Sequence, residues 1–133
     1  MILRAALLTA FATLPFTAQA QVLMEPNVSI KMALTIATTA IEACTLRTTV
    51  VVTDRAGRIR VFLQGDGAQP HNLEIARRKA YTAGTFGRTS LEWAQRTETQ
   101  TQGQRMLTDV LPLQGGVPIK FGDATIEIGR AHV

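Results

Sequence analysis

Residues 48–63 read TTVVVTDRAGRIRVFL, and this stretch decides the fold of the chain. Its opening run of threonines and valines, residues 48–53, is β-branched and predicts a well-buried strand. Asp54 favours the first position of a turn, and Gly57 can take the left-handed conformation that closes one. Residues 58–63 then predict a second strand. The stretch therefore predicts an antiparallel hairpin.

Helical patterns flank this hairpin on both sides. Apolar residues recur at helical spacing between residues 29 and 44, and Ser29 is a suitable N-cap. The apolar face of this first helix is predicted to contain Ile30, Ala33, Leu34, Ala37, Ile41 and Cys44. A second helix is predicted from Asn72, as its cap, to Phe86, with Gly87 just beyond its end.

Shorter elements complete the chain. Thr89 and Glu92 match a capping box and predict a third helix, which the polar residues 95–104 follow as a mobile loop. Short strands are predicted at residues 110–113 and 117–121, with their prolines at sheet edges or strand starts. Because helices and strands are segregated along the chain, the fold class predicted is α+β with an antiparallel sheet.

Composition narrows the class of protein. A chain of 133 residues with 46% hydrophobic residues predicts one globular domain. The net charge is +4, but the basic residues are scattered and are not interleaved with aromatic residues, which argues against a nucleic-acid partner. Cys44 is the single cysteine, so no intramolecular disulfide can form.

The N-terminus has the pattern of a secretory signal peptide at residues 1–20. Arg4 precedes an apolar run, and Ala18-Gln19-Ala20 provides a cleavage site, so cleavage is expected after Ala20. The run is too short for a stable membrane anchor. We therefore expect a periplasmic or secreted protein whose domain follows a linker at residues 21–28.

The C-terminus, EIGRAHV at residues 127–133, is not typical of a domain end. One reverse translation of it, GAGATCGGAAGAGCACACGTC, matches the start of a widely used sequencing adapter. The hypothesis is that this tail is a translated adapter and not native protein, which would leave His71 as the only genuine histidine. Any departure of the gene from those codons would refute it.

Four segments together resemble the HbpS/GlcG-like family of "haem-degrading" domains. They are VVTDRAGRI at residues 51–59, GDGA at 65–68, IARRKAYTA at 75–83 and GGVPI at 115–119. The resemblance implies a profilin-like antiparallel sheet with flanking helices, and homo-oligomers. The family includes secreted haem-binding proteins, and the domain also occurs fused to corrinoid adenosyltransferases.

The resemblance also implies that the domain, residues 29–126, is truncated. Members continue into a glycine-rich strand in the middle of the sheet, beside the first strand, and then into a last helix. The chain is predicted to stop where that strand should begin, which would leave backbone groups unpaired and apolar faces open.

Candidate site residues lie in two segments. Lys79 and Thr82 on the second helix are candidates for a ligand carboxylate, although Lys79 could only pack its stem and Thr82 could bond to its own helix. Tyr81 is a weaker candidate. Asp66 and Gly67 could offer backbone N–H groups to an anion, or form a plain turn. His71 is the candidate iron ligand, or a solvated capping residue.

These features predict an exported haem-binding domain, with haem sensing or degradation as finer versions. The alternative is a binder of another small anionic metabolite or corrinoid without haem chemistry. Motifs of dedicated catalysis such as C-x-x-C, H-x-x-x-H or G-x-S-x-G are absent from the sequence. Any haem degradation is therefore expected to be coupled oxidation and not enzyme turnover.

Overall fold

The computed structural model describes residues 21–44 and 47–122 in full and residues 124–131 as backbone. The predicted signal peptide and His132 lie outside these residues. Within them, no helix is long and apolar enough to cross a membrane. In chain order the elements are α1 (Ile30–Glu42), β1 (Thr49–Thr53), β2 (Ile59–Gln64), α2 (Asn72–Phe86), α3 (Ser90–Thr99), a 3₁₀ helix (Gln102–Met106), β3 (Gly116–Phe121) and β4 (Ala124–Ala131).

The described strands form one antiparallel sheet in the order β2-β1-β4-β3. α1 packs against β1 and β2, whereas α2 packs against β1, β4 and β3. The predicted α+β class and the flanked antiparallel sheet are confirmed. β3 lies at an edge of this sheet, which is where a strand containing Pro118 was expected, because proline has no N–H to donate to a ladder.

The predicted hairpin is β1–β2, and a buried carboxylate holds its turn. Asp54 is only 2% exposed and accepts hydrogen bonds from the Ala56 and Arg58 N–H groups and from Arg58 Nε. Burial alone would raise the pKa of Asp54, but the hydrogen bonds from Arg58 and Ala56 outweigh it and lower that pKa. Gly57 adopts the expected left-handed conformation, with φ +76°.

β1 is buried on both of its faces, as its β-branched sequence predicts. Val50 and Val52 pack in a cluster with α1, while Val51 packs in a second cluster with α2. Such a strand separates two layers of the core, so its sequence is a continuous apolar run and does not alternate.

α1 uses a narrower contact face than predicted. Ala33 and Ala37 are fully buried, and Ala40 joins them, but Ile30 and Leu34 are 50% and 44% exposed. Small side chains let the helix approach the sheet closely, and the larger apolar residues then fall outside the contact. The prediction that Ile30 and Leu34 face the core is therefore wrong.

The helix ends follow the sequence signals with two corrections. His71, not Asn72, occupies the N-cap of α2 and makes no side-chain capping bond, while Gly87 ends the helix in the left-handed conformation. The capping box of Thr89 and Glu92 is present at α3. The polar residues 95–104 are not a loop, because α3 continues to Thr99 and the 3₁₀ helix follows.

Residues 110–113 are not a strand, in contrast to the prediction. Their backbone groups bond to side chains of α2: Leu111 N–H donates to Thr82 Oγ1 and Val110 C=O accepts from Arg78. Since backbone polar groups need a partner when buried, these side chains replace the ladder that a strand would have needed.

The expectation that the central strand is missing is also wrong. β4, at residues 124–131, pairs with both β1 and β3 and so occupies the position in the middle of the sheet, beside β1. The non-native origin of the last seven codons stays a prediction about the DNA.

Candidate functional site

Side chains of α2 form hydrogen bonds and an ion pair with an extended stretch, residues 109–115, which we call the clasped segment. The contacts are Arg77 Nη2 to Asp109 Oδ1 at 2.7 Å, Arg78 Nη2 to Val110 O at 2.7 Å, Leu111 N to Thr82 Oγ1 at 2.8 Å and Lys79 Nζ to Gln114 O at 2.9 Å. α2, which contains the family-like IARRKAYTA segment, is therefore bonded to a segment more than 25 residues further along the chain.

Two predicted ligand-binding residues, Lys79 and Thr82, form hydrogen bonds to the clasped segment. Lys79 is only 4% exposed, and burial lowers the pKa of its ammonium group. Thr82 is fully buried and also donates to Arg78 O at 2.8 Å. Both polar groups therefore have partners inside the fold, and a ligand contact for either one stays a prediction.

Tyr81, another predicted residue, points to the hairpin turn. Its ring lies so close to Gly57 that a Cβ at position 57 would overlap ring carbons. Gly57 is thus required twice, for its positive φ and for the space that the ring occupies.

The remaining predicted residues lie at the other end of β1. The turn containing Asp66 and Gly67 is tied to the start of β1 through a hydrogen bond from Gly65 N to Thr48 O of 2.8 Å. Asp66 and His71 are exposed. His71 precedes Tyr81 by ten residues, about 15 Å along a helix axis. The structure therefore brings Lys79 and Thr82 together at the clasped segment, away from His71.

An open cleft of about 650 Å³ lies elsewhere, where the junction of α2 and α3 meets β3. This volume falls in the range of small-molecule sites, about 300–1,000 Å³. We call it the α2–α3 cleft, and its lining consists of Gly87, Arg88, Thr89, Glu92, Val117, Pro118 and Lys120.

Charged side chains of both signs line this cleft. Arg88 and Lys120 contribute cations, and Glu92 contributes one carboxylate, so the described lining residues carry one net positive charge. Hydrogen bonds from Thr89 lower the pKa of Glu92, and the charges of Arg88 and Lys120 lower it further. The cleft is suited to a ligand with carboxylate or phosphate groups.

Sequence reasoning missed the cations of this cleft. Its signals marked Gly87, Thr89 and Glu92 as helix ends, and they do bound the cleft. Arg88 lies between these residues without a motif of its own, and Lys120 reaches the cleft only because β3 packs beside α3. Two cations that meet at a cleft from distant parts of the chain produce no recognisable pattern in a single sequence.

Metal-ligating groups are sparse in the described part of the chain. Residues 21–44 and 47–122 contain no group of three or more His, Cys, Asp or Glu side chains that could hold a metal ion. No His, Cys, Met or Tyr is among the described residues that line the cleft. His71 lies at the opposite end of α2 from Gly87, about 24 Å away along the axis.

Solved structures of known proteins resemble this fold. HbpS from Streptomyces reticuli, as a double mutant, superposes with a TM-score of 0.80 at 28% identity, covering 92% of this chain and 85% of HbpS. Protein ORFY of Klebsiella pneumoniae gives 0.70 at 18% identity, covering 88% and 85%, and PduOC, crystallised as a heme complex, gives 0.56 at 17%, covering 78% and 75%. No curated protein matches the sequence.

The family comparison covers most of the chain. The family described as "Haem degrading protein HbpS-like" matches residues 28–129, which include α1, α2 and the α2–α3 cleft. The four motif segments all fall inside that range. The chain therefore belongs to the HbpS-like family.

Proposed function

We propose that this protein is an exported haem-binding domain and that the α2–α3 cleft is its haem site. The observation that carries the proposal is the family match over residues 28–129, under a description that names haem degradation. The likeness to HbpS supports it, and in PduOC a related fold is recorded with heme.

The cleft residues fit the edge of haem that carries its two propionates. Arg88 and Lys120 would pair with these carboxylates, and Val117 with Pro118 would contact the ring. When bound, haem supplies an iron that reacts with peroxide or reductant. The described residues of the cleft would orient the ring, and no histidine is among them.

Titration of the full chain with haemin tests the proposal through the Soret band. We expect saturation at one haem per chain. Arg88→Gln combined with Lys120→Gln should weaken binding by about tenfold, since each exposed ion pair contributes about 0.2–1 kcal/mol. The matched control is Lys31→Gln with Arg60→Gln, two exposed cations outside the cleft lining. A featureless rise in absorbance, or equal losses in both double variants, would contradict it.

His71 provides an internal check on the position of the site. His71→Ala should leave both the affinity and the Soret position unchanged, because the residue is exposed and lies far from the cleft. A shifted Soret maximum in His71→Ala would instead place the iron at the start of α2.

Degradation is proposed as coupled oxidation. Among the described residues that line the cleft, Glu92 is the only one with a carboxyl group, and that group is already hydrogen-bonded to Thr89. Haem loss in the presence of reductant should therefore stop when catalase is added. Turnover that persists with catalase would show a dedicated enzyme.

Another small anionic metabolite or corrinoid is the alternative ligand, because the same two cations would hold other carboxylates or phosphates. Thermal shift against organic acids and corrinoids separates it from haem. The alternative holds if one of these compounds raises the Tm of the parent but not of the Arg88→Gln, Lys120→Gln double variant, while haemin binding fails to saturate.

Export and self-association complete the proposal. Mature protein from the periplasm or medium should begin at Gln21, which N-terminal sequencing can check. Apolar side chains that are exposed on and before α1 support a homo-oligomer, which light scattering tests; they are Val22, Leu23, Met24, Ile30, Met32 and Leu34.

A further inference from the structure

We propose that Glu92 is an internal competitor for the anionic ligand of the α2–α3 cleft. Its carboxylate occupies donors and neutralises charge that a ligand anion would otherwise use. The inference rests on the proposed function in taking haem as one ligand, and a second probe makes it testable without haem.

The hydrogen bonds of Glu92 show what it occupies. Its Oε2 atom accepts from both Thr89 N and Thr89 Oγ1, each at 2.8 Å. Thr89 itself lines the cleft. A ligand carboxylate or phosphate oxygen that enters the cleft therefore meets two donors that already have an anionic acceptor.

The charges of the cleft lead to the same conclusion. Arg88 and Lys120 line the same cleft as Glu92. Hydrogen bonds from Thr89, and then the charges of Arg88 and Lys120, lower the pKa of Glu92, so its carboxylate is ionised at neutral pH. Glu92 thus offsets one of two cations. A ligand with two anionic groups would face a site with half of its positive charge cancelled.

Glu92→Gln isolates the charge part of this competition, because the variant should still accept the hydrogen bonds from Thr89. Glutamine at the third helical position sustains a capping box, because its amide oxygen also accepts from the N-cap residue. The variant should therefore keep α3 while removing the negative charge. Glu98→Gln is the matched control: it lies on α3, its side chain is 64% exposed, and it is not among the residues that line the cleft.

The experiment compares parent, Glu92→Gln and Glu98→Gln with two probes. Haemin binding is followed by the Soret band, and inorganic phosphate binding by NMR shifts of the Thr89 and Lys120 amides. Glu92→Gln should bind both probes about three- to fivefold more tightly, as one nearby exposed charge allows, and Glu98→Gln should match the parent. The gain should shrink at 1 M salt, where screening reaches about 3 Å.

The outcomes separate the two ideas. If haemin fails to saturate the parent but Glu92→Gln still tightens phosphate at the cleft amides, haem binding is refuted and the competitor role stands. If haemin saturates the parent and Glu92→Gln gains nothing over Glu98→Gln, the competitor role is refuted. It is equally refuted if phosphate and haemin leave all three proteins unchanged.

Discussion

The two helical layers of this domain are held to the sheet in different ways. α1 is attached through alanines and valines. Two of its threonines bond back to their own helix, Thr35 Oγ1 to Lys31 O at 3.0 Å and Thr38 Oγ1 to Leu34 O at 2.9 Å. α2 also buries alanines, but its polar side chains bond outward to the clasped segment. The α1 layer is held to the sheet by apolar packing, whereas the α2 layer is held by apolar packing and by hydrogen bonds to the clasped segment.

This difference explains why residues of α2 look like a binding motif. Lys79 and Thr82 are polar residues at fixed positions in a family-like helix, which is the pattern a ligand site would also give. In this structure Lys79 donates to Gln114 O and Thr82 accepts from Leu111 N, and both of these are backbone atoms of the same chain. Substitutions that remove those partners should therefore cost stability in the α2 layer and little in the α1 layer.

The largest effect is expected where β3 passes α2 most closely. A Cβ at Gly116 would overlap the carbonyl group of Lys79, which is backbone and cannot rotate away. Gly116→Ala should destabilise the domain by about 3 kcal/mol or more, at the upper end of overpacking costs. Urea unfolding measures it.

Gly103→Ala is the control for that change. Position 103 has no atom within 4 Å of an added Cβ, so this variant should stay within about 0.5 kcal/mol of the parent. Equal stability of the two alanine variants would show that β3 and α2 are not in close contact.

Lys79→Met comes next and decides between packing and ligand binding. It removes the bond to Gln114 O, so we expect a loss of about 1.5–3 kcal/mol, the usual range for hydrogen bonds with a charged partner. Haemin affinity should not change. The same substitution at exposed Lys31 on α1 should be nearly neutral. Lost affinity with unchanged stability would instead support the prediction that Lys79 binds the ligand.

The stability difference between the parent and Lys79→Met should also depend on pH, in a direction that the pKa of Lys79 determines. Burial lowers the pKa of Lys79 below its ordinary 10.5, so between the two values the unfolded chain binds more protons than the folded one. The stability of the parent relative to Lys79→Met should therefore rise with pH across that window. A flat or falling difference would show that Lys79 is solvated.

Sequence patterns predicted the elements whose causes are local. The hairpin follows from Asp54 and Gly57, α3 from its capping box, and the end of α2 from Gly87. Patterns failed where partners come from distant segments. Residues 110–113 resemble a strand, but α2 side chains satisfy them, and the Arg88–Lys120 cleft forms only through packing.

A pair of Thr→Val variants measures the two layers with the same chemistry. Thr82→Val keeps the shape of the side chain but leaves Leu111 N–H without its acceptor, which should cost about 1–3 kcal/mol. Thr35→Val removes a hydroxyl bonded only to Lys31 O on an exposed face, and should change stability by less than about 0.5 kcal/mol. Thermal unfolding of both compares them directly, and equal losses would remove the distinction between the layers.

The smallest effect concerns ion pairs at the margins of each layer. Arg77 pairs with Glu74 and Asp109, and its side chain is 25% exposed, whereas Arg55 pairs with Glu25 before α1 and is 46% exposed. Exposed pairs contribute about 0.2–1 kcal/mol, with more from a less exposed cation that has two carboxylates. Arg77→Met should therefore cost close to 1 kcal/mol, and Arg55→Met should cost less. Because salt screens both pairs, unfolding in 1 M NaCl should bring each variant nearer to the parent. If Arg55→Met costs as much as Arg77→Met, the ion pair to the clasped segment adds nothing beyond an ordinary surface contact.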